Sequence, residues 1–117
     1  MFPRRENTVH EFPDFIAALP ELDLPFEGVS GHVLQGERQQ VAFLSFAQDL
    51  SVPEHSHRAQ WVLVLAGAVT LRMQGTEKTY RAGDSFYIPE GVMHGADVQA
   101  GYRSIVFFDQ ADRFRAK

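Results

Sequence analysis

His55 and His57 stand two residues apart. On an extended segment such a pair projects both imidazoles from one face, where they can reach a single ion. Taken alone the pair says little, because with 5 histidines in 117 residues a His-x-His arises by chance in roughly one such sequence in five. Its surroundings are more specific. Gln60 follows three residues after His57, six residues then lead to Gly67, and a gap of 15 residues precedes Gly83, Pro89, Gly91 and His94. That second set reads Gly-x5-Pro-x-Gly-x2-His, and its chance occurrence at a suitable distance is roughly one in ten thousand. The chemistry open to His55 and His57 is ligation of one metal ion. The sequence has no cysteine, so thiolate ligands, disulfides and a cysteine nucleophile are excluded, and any metal must be held by nitrogen and oxygen.

The two stretches, "DLSVPEHSHRAQWVLVLAG" over 49–67 and "GDSFYIPEGVMHGADV" over 83–98, resemble the two motifs of the cupin superfamily, Gly-x5-His-x-His-x3or4-Glu-x6-Gly and Gly-x5-Pro-x-Gly-x2-His-x3-Asn. The resemblance covers about residues 29 to 108. It implies an all-β fold, a double-stranded β-helix (jelly-roll) barrel of two antiparallel sheets. It also implies a metal centre inside that barrel, with His55, His57 and His94 in the three histidine positions and Gln60 in the glutamate position. Four departures stand out. Asp49 replaces the first glycine and Val98 the final asparagine, both at variable turn or strand-end positions. The gap from His57 to Gln60 is two residues instead of three or four, and Gln60 is itself an amide in place of a carboxylate. An amide oxygen can ligate, but it is neutral, so the site would keep the full charge of a divalent ion (Fe, Ni, Zn, Mn or Cu). Such a site is the stronger Lewis acid and favours an anionic partner. An amide also cannot accept a proton, which leaves base chemistry to a hydroxide on the ion or to a pocket group such as Tyr87 or Tyr102.

Elements that position these residues can be read from the texture of the chain. After Gly28, short apolar or alternating runs recur at Val29 to Leu34, Gln40 to Ala47, Trp61 to Ala66, Val69 to Met73, Thr79 to Arg81, Ser85 to Ile88 and Arg103 to Phe108, divided by glycines and prolines. Runs of this kind are β-strands of a sandwich or barrel. Before them, Pro13, Pro20 and Pro25 leave room for one short helix, with Asp14 as its cap and Phe15 to Leu19 as its body. The organisation expected is one domain: an arm over 1–28, the barrel over 29–108 and a tail over 109–117. Leu22, Leu24 and Phe26 of the arm, with the barrel's sheet edge, suggest a homodimer in which the arm covers a neighbour's edge. Trp61, next to a ligand position, should point away from the cavity. Phe86, Phe107 and Phe108 are candidates to line it. An inward Arg72 or Arg103 would suit a substrate carboxylate, although an outward, solvated position is the default for each. Arg113, Arg115 and Lys117 read as a solvated basic terminus, and His10 and His32 as histidines without a ligand role.

A chain of 117 residues with 44% hydrophobic and 22% charged residues has the composition of one globular domain with a real core. Its formal charge of −4 offers no field for a polyanion, so nucleic acid and acidic membrane surfaces are not expected partners. No apolar run approaches a membrane span or a signal sequence, and a cytoplasmic location is the expectation. The function expected is a metal-dependent enzyme (oxygenase, lyase or isomerase) acting on a small anionic or oxygen-rich molecule. The alternative is a non-catalytic small-ligand or sugar-binding module.

Overall fold

A computed structural model describes residues 12–117; the start of the expected arm, with His10, lies outside them. Eleven short strands follow one four-residue helix, α1 (Asp14–Ala17). Pro13 occupies the N-cap and Asp14 lies within the first turn, with no side-chain cap. The expected cap at Asp14 is thus displaced by one residue: proline supplies the fixed φ that starts the turn.

The strands are β1 (Leu22–Asp23), β2 (Val29–Gln35), β3 (Gln40–Phe46), β4 (Leu50–His55), β5 (Gln60–Ala66), β6 (Ala68–Met73), β7 (Thr76–Arg81), β8 (Ser85–Ile88), β9 (His94–Val98), β10 (Arg103–Phe108) and β11 (Arg115–Ala116). Two antiparallel sheets face each other, one in the order β2-β3-β10-β5-β8 and the other β4-β9-β6-β7. This is the expected jelly-roll barrel. The central strands β3, β10 and β5 are apolar on both faces, and their inward residues Ala42, Leu44, Val62, Val64, Val106 and Phe108 are buried. From the other sheet Val69, Leu71 and Val98 meet them. Besides the two-residue β1 and β11, the strands that sequence periodicity passes over are β4 and β9, which carry His55 and His94. Pro53 interrupts the apolar pattern of β4, yet β4 is an edge strand, where a missing N–H costs no ladder bond.

The two terminal segments are part of the barrel. Leu22 is only 2% exposed within this chain's own core, and Leu24 and Phe26 line the interior. The expectation that these residues cover a neighbour's edge is therefore corrected: the barrel consumes that apolar surface itself. β1 pairs with β11, matching Leu22 to Ala116 and Asp23 to Arg115, and Lys117 Nζ meets Glu21 at 2.7 Å. His32 stands in β2, its Nδ1 3.0 Å from the carbonyl of Leu19, a tie between the sheet and the segment that follows the helix. No helix of the described residues is long and apolar enough to cross a membrane.

One end of the barrel is closed by backbone. Gly67 (φ 71°) packs so tightly that a Cβ there would lie 2.7 Å from Tyr102 Cα. Only glycine fits both the left-handed conformation and the approach. Tyr102 is bound in turn through its carbonyl to Phe46 N at 2.9 Å, and the two rings meet edge to face at 5.3 Å.

Candidate metal centre

The three histidines gather at the other end. His55 ends β4 and His94 begins β9, and the two are directly opposed in the ladder beyond a register shift that takes up Pro53 and Glu54. The bulge re-aims the end of the strand, a frequent device beside functional sites. His57 follows in the loop to β5, where its carbonyl accepts a hydrogen bond from Gly91 N at 2.9 Å. Gly91 has φ 77°, so the second glycine-containing motif acts by docking its turn on the His57 loop. Ring centroids are 5.2 Å apart for His55 and His57, 4.3 Å for His55 and His94 and 4.9 Å for His57 and His94. One ligand atom from each ring falls within 4.8 Å of the others.

Hydrogen bonds decide which nitrogen each ring offers. Nδ1 of His55 lies 2.8 Å from the carbonyl of Pro53, Nδ1 of His57 lies 2.6 Å from that of Arg58, and Nδ1 of His94 lies 2.9 Å from that of Val92. A carbonyl can only accept, so each Nδ1 carries the proton and each Nε2 keeps its lone pair. Three imidazoles oriented in this way are a ligand set, and backbone carbonyls behind metal-bound histidines commonly serve this purpose. The electrostatics agree. Burial pushes the His57 imidazole down from 6.5 to about 4, with Arg113 and the neighbouring histidines adding to the effect and the Arg58 carbonyl opposing it. Burial likewise lowers His94, with His55 and Arg113 adding. Both rings are neutral at pH 7, the form that binds metal. The residues present fit a divalent ion.

Gln60 opens β5 opposite Ile88 and Phe108, and it lines the interior together with His55, His57 and His94. Two spaces meet at the histidines. The inner one, about 120 Å³, is walled mainly by Val, Leu, Ile and Phe side chains. The outer one, about 490 Å³, is the mouth, bounded by Phe26, Val52, Pro53, Ser56, Gln110, Asp112 and Arg113 beside His55 and His57.

Of the aromatic candidates, Phe86 and Phe108 line the inner space, whereas Phe107 is 49% exposed on the outer face. Trp61 faces outward as expected, 6.0 Å from the ring of Phe107. Tyr87 is 57% exposed, away from both spaces, and is unsuited to act as a base at the site. Tyr102 lines the inner space but at the closed end, six residues along the chain from Phe108, roughly 20 Å of strand. Arg72 bonds Asp97 at 2.6 Å and Arg103 sits over the ring of Phe12 at 5.2 Å, so neither reaches the cavity. Arg113 does. It lines both spaces, which corrects its reading as part of a solvated terminus. Phe114 beside it was the available signal, since an aromatic residue in a polar tail needs something to cover it.

The family model for the cupin domain matches residues 43–106, more than half of the chain. Among solved structures, an RmlC-like cupin of Shewanella frigidimarina superposes with a TM-score of 0.70 at 27% identity, covering 80% of this chain and 86% of that one. Oxalate decarboxylase of Bacillus subtilis gives a TM-score of 0.68 at 15% identity over 82% of this chain and 28% of its own. A mannose-1-phosphate guanylyltransferase of Salmonella montevideo is 34% identical over 61 residues, 50% of this chain and 13% of that protein, so the chain spans only a small part of that relative's length. With its motifs, its two facing antiparallel sheets and the family match all in agreement, the chain belongs to the cupin family.

Proposed function

We propose that the barrel is a metal-dependent enzyme in which His55, His57, His94 and Gln60 hold one divalent ion and a small anionic or oxygen-rich substrate enters through the mouth. The observation that carries this reading is the engagement of all three Nδ1 atoms by backbone carbonyls, which leaves three Nε2 lone pairs free in a cluster whose ligand atoms lie within 4.8 Å of one another. A bound divalent ion supplies Lewis acidity toward a substrate oxygen. With Gln60 neutral, the protein leaves the charge of that ion uncompensated, which favours oxyanions. The apolar walls of the inner space keep water away from whatever carbon skeleton is admitted. Asp112 is the only carboxylate among the described residues lining the two spaces, and Gln110 Nε2 donates to its Oδ1 at 3.1 Å. Proton transfer at the substrate falls to Asp112 in this reading. Nitrogen and oxygen ligands suit Fe, Ni, Zn, Mn or Cu, and a structural relative, the B. subtilis oxalate decarboxylase, is described with Mn(II) centres. The amide at Gln60 favours one competing reading, a non-catalytic module binding a small ligand or sugar with no ion.

Elemental analysis of purified protein separates the two. About one equivalent of metal in the wild type, none in the His57→Ala, His94→Ala double variant and a reduced amount in Gln60→Ala is the expected result. A wild type that stays metal-free after reconstitution would overturn the enzyme reading and leave the ligand-binding one.

A homodimer remains part of the proposal, through a different surface from the arm. Leu34, Val41, Phe107, Trp61 and Tyr87 pair in register across all five strands of the larger sheet, and Leu34, Phe107, Trp61 and Tyr87 are each at least 40% exposed. The row carries no charge, so the same row of a second copy meets it without repulsion. Light scattering after size exclusion should give twice the chain mass at micromolar concentration and the single-chain mass for Trp61→Glu; a wild-type monomer would sink the dimer.

A further inference from the structure

Residues 109–117 form a fixed strap across the mouth. Arg58 Nε donates to the Asp109 carbonyl at 2.8 Å and Gln35 Nε2 to that of Ala111 at 2.9 Å. Gln40, only 2% exposed, clamps Phe114 from both sides: its Nε2 donates to the Phe114 carbonyl at 2.8 Å, and its Oε1 accepts from Phe114 N at 3.1 Å. Beyond Phe114 the strand pair β1–β11 holds the chain end. The residue held between these ties is Arg113. Its guanidinium lies over the rings of Phe114 at 4.5 Å and Phe108 at 5.8 Å, and Phe108 in turn packs edge to face on His57 at 5.8 Å. Arg113 Nε is shut off from solvent and has no hydrogen-bond partner among the described residues, and none of their ion pairs uses the side chain.

Nε is closed to the cavity as well, but the side chain lines both spaces and no carboxylate among the described residues pairs with it, so its positive charge is left for an entering anion to complete. We infer that Arg113 is the anion anchor of this site and that it takes the carboxylate of a small monocarboxylic substrate whose carbon skeleton enters the apolar inner space. The inference rests on the metal-centre reading for the position of the substrate's other oxygen, but the anchor belongs to the chain itself. Three observations favour a carboxylate over a phosphate. The planar fork of arginine matches a carboxylate. Among the described residues lining the two spaces Arg113 is the only arginine or lysine, and Asp112 stands next to it at the mouth, an arrangement that repels a dianion. The inner space is too small and too apolar to hydrate a second charge. The rings of Phe114 and Phe108 beside the guanidinium help to hold it in place.

The test compares glycolate with its neutral counterpart glycolamide, titrated by NMR into wild type and into Arg113→Gln, both loaded with zinc and checked for zinc content and thermal midpoint. The expected result is that Arg113→Gln weakens glycolate binding about tenfold, leaves glycolamide within twofold, and holds as much zinc as the wild type; Arg113→Lys falls between. Glycolate binding within twofold of wild type in Arg113→Gln would overturn the anchor. Should the wild type hold no zinc, the metal reading fails separately. The same pair of titrations on metal-free protein then decides: a preference for glycolate lost with Arg113→Gln supports the anchor, and no such preference rejects it.

Discussion

The two ends of this barrel are built from opposite materials. At one, backbone packs on backbone: Gly67 against Tyr102 with no room for a methyl group, and Tyr102 bonded to Phe46 on the next strand. At the other, three imidazoles and a guanidinium line the inner space and its mouth, and each imidazole spends one nitrogen on a carbonyl and keeps the lone pair of the other. The first arrangement gains packing and hydrogen bonds in the folded state. The second gains little and stores desolvated polar groups, as functional sites do at the expense of stability. The closed end supports the fold and the open end does the chemistry, so damage to each should read out in a different quantity.

The largest effect on stability is expected at the closed end. Gly67→Ala puts a Cβ into the Tyr102 backbone at φ 71° and should cost about 2–4 kcal/mol in chemical denaturation, from the left-handed backbone and the overpacking together. The fraction that remains folded should bind metal with unchanged stoichiometry. His57→Ala should do the reverse. It removes a half-buried loop side chain, changes the stability of metal-free protein by under about 1 kcal/mol and abolishes metal binding. Equal losses of stability in the two variants would contradict the division between the ends.

The same contrast governs what the sequence discloses. Strands of the larger sheet are legible because both of their faces are apolar: the runs at Gln40, Trp61 and Arg103 become β3, β5 and β10 within a residue or two. β4 and β9 escape the periodicity because Pro53, Glu54, His55 and Gly95 stand where apolar residues would mark a strand, and they stand there because these strands carry the site. Their chemistry is legible in spite of this, since His55, His57 and His94 announce themselves by spacing. Arg113 is not. No spacing rule connects a residue near the chain end with a motif more than fifty residues earlier, and only the clamp by Gln40 and the pairing of β11 with β1 bring it to the mouth. The arm misleads for a related reason: the apolar Leu22 and Leu24 call for burial, but burial against self and against a partner look alike in one dimension.

A smaller effect separates the ends at high pH. Burial pushes the Tyr102 hydroxyl up from 10.0 to about 12. A group raised in the folded state stabilises fully below its unfolded value and loses that contribution as pH rises through the folded one. Stability should therefore fall between pH 10.0 and about 12, by about 2–3 kcal/mol for a group this buried. Tyr102→Phe should flatten that limb, and an unchanged slope in this variant would remove Tyr102 as its source.

The smallest effect belongs to the open end and has the opposite sign. His57 is depressed from 6.5 to about 4, chiefly by burial, so the unfolded chain takes up a proton in that interval and the folded one does not. The associated stability is present above pH 6.5 and is lost as pH falls to about 4. Because the ring is only half-buried, the full shift must be discounted for solvent screening, leaving on the order of 1–2 kcal/mol. Denaturation of metal-free protein between pH 7 and pH 4 should show this decline in the wild type and a shallower one in His57→Ala. Zinc should steepen it, since protons and the ion compete for the same Nε2 atoms. Parallel curves for wild type and His57→Ala would mean that the imidazole is no more desolvated in the folded barrel than in the unfolded chain. The open end would then store nothing at His57, and the difference between the two ends would rest on His94 and Arg113.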